Sequence, residues 1–295
     1  MGAANIARKN WQAIRNSGNG TVAAVASRDA GRAQQFVSEC QGTVPMENPV
    51  SSLGDYGALL RSAEVDAVYI PLPTGLRKEW VIRAAEAGKH VLCEKPCASS
   101  VSELKAMIEA CERNGVQFMD GVMFMHSARL AKLRAVLDQE IGQIRRISSV
   151  FSFLTPEDFF TTNIRASDAL EPFGCLGDLG WYCIRLALWT VNGAMPERVT
   201  GRCLQARGVP TEFSAELYFP NGVSSSFYCS FLTENTQWAH IDGTNGTVRL
   251  DDFVLPYFGD ELSFEVSRPV FDVQGCDFRM EPNARKVSVK EKSNN

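Results

Sequence analysis

The stretch Ala87-Gly88-Lys89-His90-Val91-Leu92-Cys93-Glu94-Lys95-Pro96 closes one element and opens another. Gly88 reads as the left-handed residue that ends a helix, and Val91-Leu92-Cys93 as a short apolar strand that delivers Glu94, Lys95 and Pro96. Pro96 fixes its own φ and restricts Lys95 to extended backbone. In open α/β sheets ligands bind just beyond the carboxyl ends of the strands, so a lysine there stands where a cofactor and a substrate meet. A helix, a glycine and a short strand occur in any α/β protein, and Glu94 and Lys95 also read as solvated charges leaving a sheet. The flanking chain decides between the two.

Residues 5 to 120 alternate helical periodicity with short β-branched runs. Val22 to Ala26 reads as a strand, Gly31 to Cys40 as a helix, Val65 to Ile70 as a strand and Lys78 to Ala87 as a helix. After the strand at Val91, Val101 to Asn114 is a helix capped by Gly115, and Val116 to Met119 a further strand. Strands alternating with helices at this spacing predict βαβ units and a parallel sheet. Past residue 120 the rhythm changes to period two over Ile144–Phe153, Val199–Arg207, Phe213–Tyr218, Ser224–Phe231 and Thr247–Leu250, with turn chemistry at Pro220-Asn221-Gly222 and Thr244-Asn245-Gly246. That pattern predicts an antiparallel sheet with one buried face. The expected domains are residues 1–120, dinucleotide-binding, residues 121–283, an α+β substrate and dimerisation domain, and a frayed polar tail at 284–295.

Composition bounds the function. With 295 residues, 45% hydrophobic and 22% charged, the chain has an ordinary globular balance. A net charge of −4, with no basic cluster before the last ten residues, argues against a nucleic-acid partner. No apolar run is long enough to span a bilayer, so no membrane partner is expected. The 9 cysteines are scattered without a CxxC pair, which reads as free or buried thiols in a reducing, cytoplasmic compartment, with no metal site.

Gly2-Ala3-Ala4-Asn5-Ile6-Ala7 fits a relaxed dinucleotide loop leading into a helix. Small residues permit the tight turn and close approach to a pyrophosphate, and the helix N-terminus attracts the anion. The next strand ends in Ser27-Arg28-Asp29, where an arginine accommodates a 2′-phosphate, so Ser27 and Arg28 favour NADP over NAD. Only Met1 precedes Gly2, so the first strand of such a sheet is expected to be missing. Later, Gly174-Cys175-Leu176-Gly177-Asp178-Leu179-Gly180-Trp181-Tyr182 leads into an apolar helix, with Asp178 and Tyr182 four apart and expected on one helical face.

Together the loop at Gly2, the run from Ala87 through Glu94-Lys95-Pro96, and Asp178-x-Gly180-x-Tyr182 resemble the glucose-fructose oxidoreductase/inositol dehydrogenase (Gfo/Idh/MocA) family, over residues 2 to 283. Tyrosine at 182, in place of the more frequent histidine, is most similar to the dihydrodiol dehydrogenase and NADP-dependent xylose dehydrogenase branch. The resemblance implies an α/β chain: a Rossmann-type parallel-sheet domain followed by an α+β domain whose open antiparallel sheet mediates homodimerisation. It implies NADP (or NAD) held by Gly2, Ala4, Asn5, Ile6, Ser27, Arg28, Pro71, Leu72, Pro73, Thr74, Glu94 and Lys95. Lys95 is also expected to contact substrate, Lys95-Pro96 to be cis, and Tyr182 to act as acid/base. Arg165, Asp178 and Trp181 are the implied substrate residues. Arg77 departs from the histidine usual nearby. The family's chain runs on past the sheet, so this sequence reads as cut at both ends, and the competing expectation is a catalytically impaired isoform that binds or dimerises.

The chemistry expected of the intact site is hydride transfer between nicotinamide and a sugar, polyol or dihydrodiol hydroxyl or carbonyl. Tyrosine titrates near 10 in water, so a neighbouring cation such as Lys95 is needed for it to act as base near neutrality. Asp178 is better suited to orienting Lys95 or a substrate hydroxyl than to being the base.

Overall fold

The computed structural model of the chain describes residues 1–293, which fall into two compact units that divide between Gly121 and Val122. Polar caps set three of the helix starts in the first unit. It runs α1 (Asn5–Ser17), β1 (Ala24–Ala26), α2 (Ala30–Thr43), β2 (Ser51–Leu53), α3 (Tyr56–Arg61), β3 (Ala67–Ile70), α4 (Thr74–Glu86), β4 (His90–Cys93), α5 (Val101–Arg113) and β5 (Phe118–Asp120). Asp29 accepts from Arg32 N at the head of α2, Asp55 from Gly57 N and Ala58 N at α3, and Ser100 from Glu103 N at α5. Gly88, at φ +71°, ends α4, and Lys89 N donates to Ala84 O across the turn.

Every strand pair in this unit is parallel, in two ladders, β1–β2 and β3–β4–β5. No strand links β1 to β3 among the described residues. The backbone at the chain start reaches both: the Met1 amine donates to Tyr69 O at 2.8 Å and Gly2 N to Ala26 O at 2.7 Å. Ala26, Val68, Ile70, Val81, Ala84, Val91, Cys93 and Met107 form the core on which the helices rest.

The second unit opens with a 3₁₀ turn at Met123–His126 and α6 (Ala128–Gln139), then β6 (Ile144–Ser152), α7 (Phe159–Thr162) and α8 (Trp181–Thr190). The remainder is β7 (Arg198–Arg207), β8 (Val209–Tyr218), β9 (Ser224–Ser230), β10 (Ala239–Gly243), β11 (Thr247–Leu250), β12 (Gly259–Ser267), β13 (Val270–Gln274), β14 (Asp277–Glu281) and β15 (Ala284–Ser293). An eight-stranded sheet has the order β15-β12-β11-β10-β6-β9-β8-β7, antiparallel except for the parallel β6–β9 pair. Ile147, Phe151, Leu217, Phe227, Ile241, Val248 and Phe264 of the sheet share one core with Leu133 and Leu137 of α6 and Leu186 of α8. Alternation puts polar side chains on the opposite face, where Arg146 pairs with Glu216 and also donates to Ser224 Oγ and Ser226 Oγ at 2.8 Å each.

Two expectations change here. The polar stretch from 284 is not a frayed tail: up to Ser293 it forms β15 against β12, with Val287 opposite Phe264 and Val289 opposite Leu262. Two valines at period two supply the strand signal and cross-strand charges such as Lys286 near Glu261 (3.7 Å) line its outer face, a pattern masked by the basic composition. Residues 294 and 295 lie outside the described part. β7, which reads as half-buried from its alternation, is exposed along its whole length because it is the sheet's edge.

Candidate active site

The expected cofactor residues gather at the carboxyl ends of the parallel strands of the first unit. Gly2 has φ +92°, and a Cβ there would sit 3.1 Å from Leu72 Cδ2, so the turn before α1 requires glycine. Ala4 is the N-cap of α1 and supplies no side-chain cap, and Asn5 and Ile6 open the helix with no acidic residue in its first turn. The first-turn N–H groups thus keep the anion-binding capacity of an uncapped helix N-terminus. Ser27 is buried just past β1, and Arg28 beside it is exposed with no ion-pair partner among the described residues. Asp29 is committed to capping α2. Pro71, Leu72 and Pro73 form the loop after β3 and Thr74 opens α4, with Leu72 and Thr74 buried.

After β4, Lys95 is half-buried and the Lys95-Pro96 bond is cis. Glu94 does not leave the sheet as a solvated charge. Its carboxylate accepts from Tyr69 Oη at 2.7 Å and from Lys95 N at 3.2 Å, and it lies against Gly121, where a Cβ would come within 3.2 Å of Glu94 Cδ. Burial, then the Glu94 carboxylate, pushes the Tyr69 phenol far above its usual range, so Tyr69 stays a neutral donor. The Cys93 thiol is likewise raised, first by its hydrogen bond with Cys97 and then by burial, which makes it a poor nucleophile.

In the second unit Tyr182 is 7% exposed at the start of α8. Its ring lies 6.0 Å from that of Phe124 and 5.6 Å from that of Phe151, centroid to centroid. The α-helical spacing expected to align Asp178 with Tyr182 does not hold, because Asp178 lies in a π-helical turn, Leu176–Gly180, with i→i+5 bonding. That turn is pressed onto the sheet. A Cβ on Gly180 would fall 2.9 Å from Leu176 Cδ1 and 3.2 Å from Cys229 Sγ, and one on Gly174 2.2 Å from Pro210 O. Arg165, from a 3₁₀ turn whose N-cap is Asn163, holds Asp178 Oδ2 with its Nε at 2.9 Å. Trp181 is half-buried, and its Nε1 is buried with no hydrogen-bond partner.

Tyr69, Phe124 and Phe151 escaped the sequence reading: each stands in an apolar run, and only the fold brings Tyr69 to Glu94 and the two phenylalanines to Tyr182. Among the described residues no cluster of His, Cys, Asp and Glu could hold a metal ion, and no helix is long and apolar enough to cross a membrane.

Comparison with known proteins bears on these residues. Residues 1–124 match the oxidoreductase family model with an NAD-binding Rossmann fold, and residues 130–249 match the GFO/IDH/MocA C-terminal domain. The chain is 34% identical over 251 residues to D-xylose 1-dehydrogenase (NADP(+)) 2 of Haloferax volcanii, covering 83% of this chain and 73% of that protein. It is 30% identical over 238 residues to trans-1,2-dihydrobenzene-1,2-diol dehydrogenase of Mus musculus, covering 80% and 68%. In structure it is similar to KijD10, a 3-ketoreductase from Actinomadura kijaniata crystallised with NADP and TDP-benzene. The TM-score is 0.85 at 26% identity, over 99% of this chain and 83% of that one. With a dinucleotide-type Rossmann unit, a mostly antiparallel sheet unit and these relatives, the chain belongs to the Gfo/Idh/MocA family of NAD(P)-dependent oxidoreductases.

Proposed function

We propose that this chain is an NADP-preferring dehydrogenase or reductase of sugar, polyol or dihydrodiol hydroxyl and carbonyl groups, with Lys95 and Tyr182 as its catalytic pair. The observation that carries the reading is the set at the strand ends of the first unit: an uncapped helix N-terminus after a positive-φ glycine, an unpaired arginine past β1 and a lysine past β4. These residues fit a dinucleotide. The α1 N–H groups match a pyrophosphate, and Arg28 matches a 2′-phosphate. A nicotinamide, when bound, supplies the hydride acceptor or donor. The chain supplies the proton chemistry. Tyr182 takes the hydroxyl proton during oxidation and returns it during reduction, and the Lys95 ammonium stabilises the charge on the reacting oxygen. Asp178, steadied by Arg165, orients a substrate hydroxyl. Half-buried Trp181 is a further substrate contact in this reading. The relatives named for D-xylose and for a dihydrodiol support the substrate class.

We also propose that the polar sheet face of the second unit is covered by a second copy of the chain. The test of the main reading is NADPH formation, followed at 340 nm, with NADP⁺ and D-xylose, D-glucose or trans-1,2-dihydrobenzene-1,2-diol. Turnover of any of these supports it. A chain that binds NADPH and turns over none supports instead a binding or dimerisation role without catalysis, which the split of the first unit into two ladders favours. Arg28→Ala is expected to weaken NADPH about 10- to 100-fold, as loss of a charge-assisted phosphate contact does, and to leave NADH affinity unchanged. Equal weakening of both would place Arg28 away from the 2′-phosphate.

A further inference from the structure

We propose that Arg77 is a positioning residue that holds Lys95 in place; this rests on the role given to Lys95 above. Arg77 lies in the first turns of α4 in the run Leu76-Arg77-Lys78-Glu79, whose next two residues are exposed, yet Arg77 itself is 5% exposed. A guanidinium is withdrawn from water at a large cost unless its donors are engaged. Here Nε donates to Leu72 O at 2.6 Å, and Nη1 donates to Thr74 Oγ1 at 3.1 Å and, in a very short contact, to Pro96 O. Thr74 Oγ1 also donates to Pro96 O at 3.4 Å.

These acceptors belong to two different loops. Leu72 and Thr74 follow β3, and Pro96 follows Lys95 at the end of β4. One planar fork therefore ties the loop expected to face the cofactor to the residue next to the lysine. A guanidinium holds its donors in fixed relative directions, so the two carbonyls it joins cannot drift apart independently. Lysine reaches its target on a flexible stem, and the position of the ammonium is only as definite as the backbone that carries it. Arg77 makes that backbone definite.

The test uses the full chain with NADP⁺ and whichever of D-xylose or trans-1,2-dihydrobenzene-1,2-diol it oxidises. Arg77→Leu is expected to lower kcat about 100-fold, the scale of an ångström-sized misplacement of a catalytic group, with a smaller loss of NADPH affinity through the loop that carries Leu72 and Thr74. The kcat profile should also move to higher pH, because a displaced ammonium favours the phenolate less. Guanidinium chloride at tens of millimolar should restore part of the lost kcat. Arg77→Lys, which keeps the charge and reaches one carbonyl, should fall between wild type and Arg77→Leu, and it carries the test if the leucine variant does not fold. A stable Arg77 variant with near-wild-type kcat and an unshifted profile overturns the proposal. So does a loss of kcat that tracks only the folded fraction. If Lys95→Met is itself fully active, the role of Lys95 fails; if Lys95→Met is inactive while the Arg77 variants keep kcat and profile, positioning by Arg77 alone fails.

Discussion

Tyr182→Phe is expected to lower kcat by about 10³-fold or more while NADPH still binds, because proton transfer by a positioned side chain is worth about 10²–10⁴. The substitution removes one hydroxyl from a ring already 7% exposed and packed against Phe124 and Phe151, so the ring and its packing are retained. Lys95→Met is expected to cost about 10²–10³ through lost stabilisation of charge on the reacting oxygen. It keeps an unbranched stem without the ammonium and leaves Glu94 held by Tyr69. Steady-state kinetics with NADPH titration checks both. A variant with kcat near wild type removes its residue from the catalytic pair. The two losses together should be far from additive, since groups that act as a unit in one step show that behaviour.

The largest expected effect on stability is at Arg129. Its guanidinium is 2% exposed, donates from Nη1 to Asp252 Oδ1 at 2.5 Å and from Nη2 to Asp252 O at 2.8 Å, and also reaches Ser263 O at 3.3 Å. The pair ties α6 to the segment after β11 and to β12. Asp252 Oδ2 in turn accepts from Tyr257 N at 2.9 Å. Arg129→Met leaves a buried carboxylate without its cation, and breaking such a pair costs about 3–5 kcal/mol. For a unit of this size that corresponds to a fall in Tm of roughly 10 °C. Adding Asp252→Asn, which removes the charge and keeps an acceptor for Tyr257 N, should recover most of the loss. Thermal unfolding of the two single variants and the double variant gives the coupling directly. A single variant as stable as wild type would show that the pair contributes nothing net.

The order βαβ in the first unit was legible because its strands are short apolar runs between helices that end in glycine, Gly88 above all. Glu94-Lys95-Pro96 stood out as a candidate site for the same reason: a strand end fixes where the chain leaves the sheet. In the second unit β6, β8, β9 and β11 carry clean alternation and were readable, whereas β15 was not, because Lys, Arg and Ser occupy its solvent face and only Val287 and Val289 mark the other. β12 was passed over although Leu262, Phe264 and Val266 alternate, since its other positions are charged or small. The π-helical turn at Asp178 has no signature in residue order; at its end Gly180 lies so close to β9 that a Cβ would fall 3.2 Å from Cys229 Sγ. Arg77 was least legible of all. A basic residue among Lys78 and Glu79 looks solvated, and its burial depends on carbonyls that only the folded loops present.

On the proposed function, the first unit holds a dinucleotide whose 2′-phosphate Arg28 recognises. Fluorescence titration of the purified chain with NADPH and, separately, NADH tests it most directly. Saturable binding of NADPH at about one per chain, at least ~10-fold tighter than NADH, is the expected result, as one phosphate-to-arginine contact provides. No saturable binding of either nucleotide at millimolar concentration would contradict it.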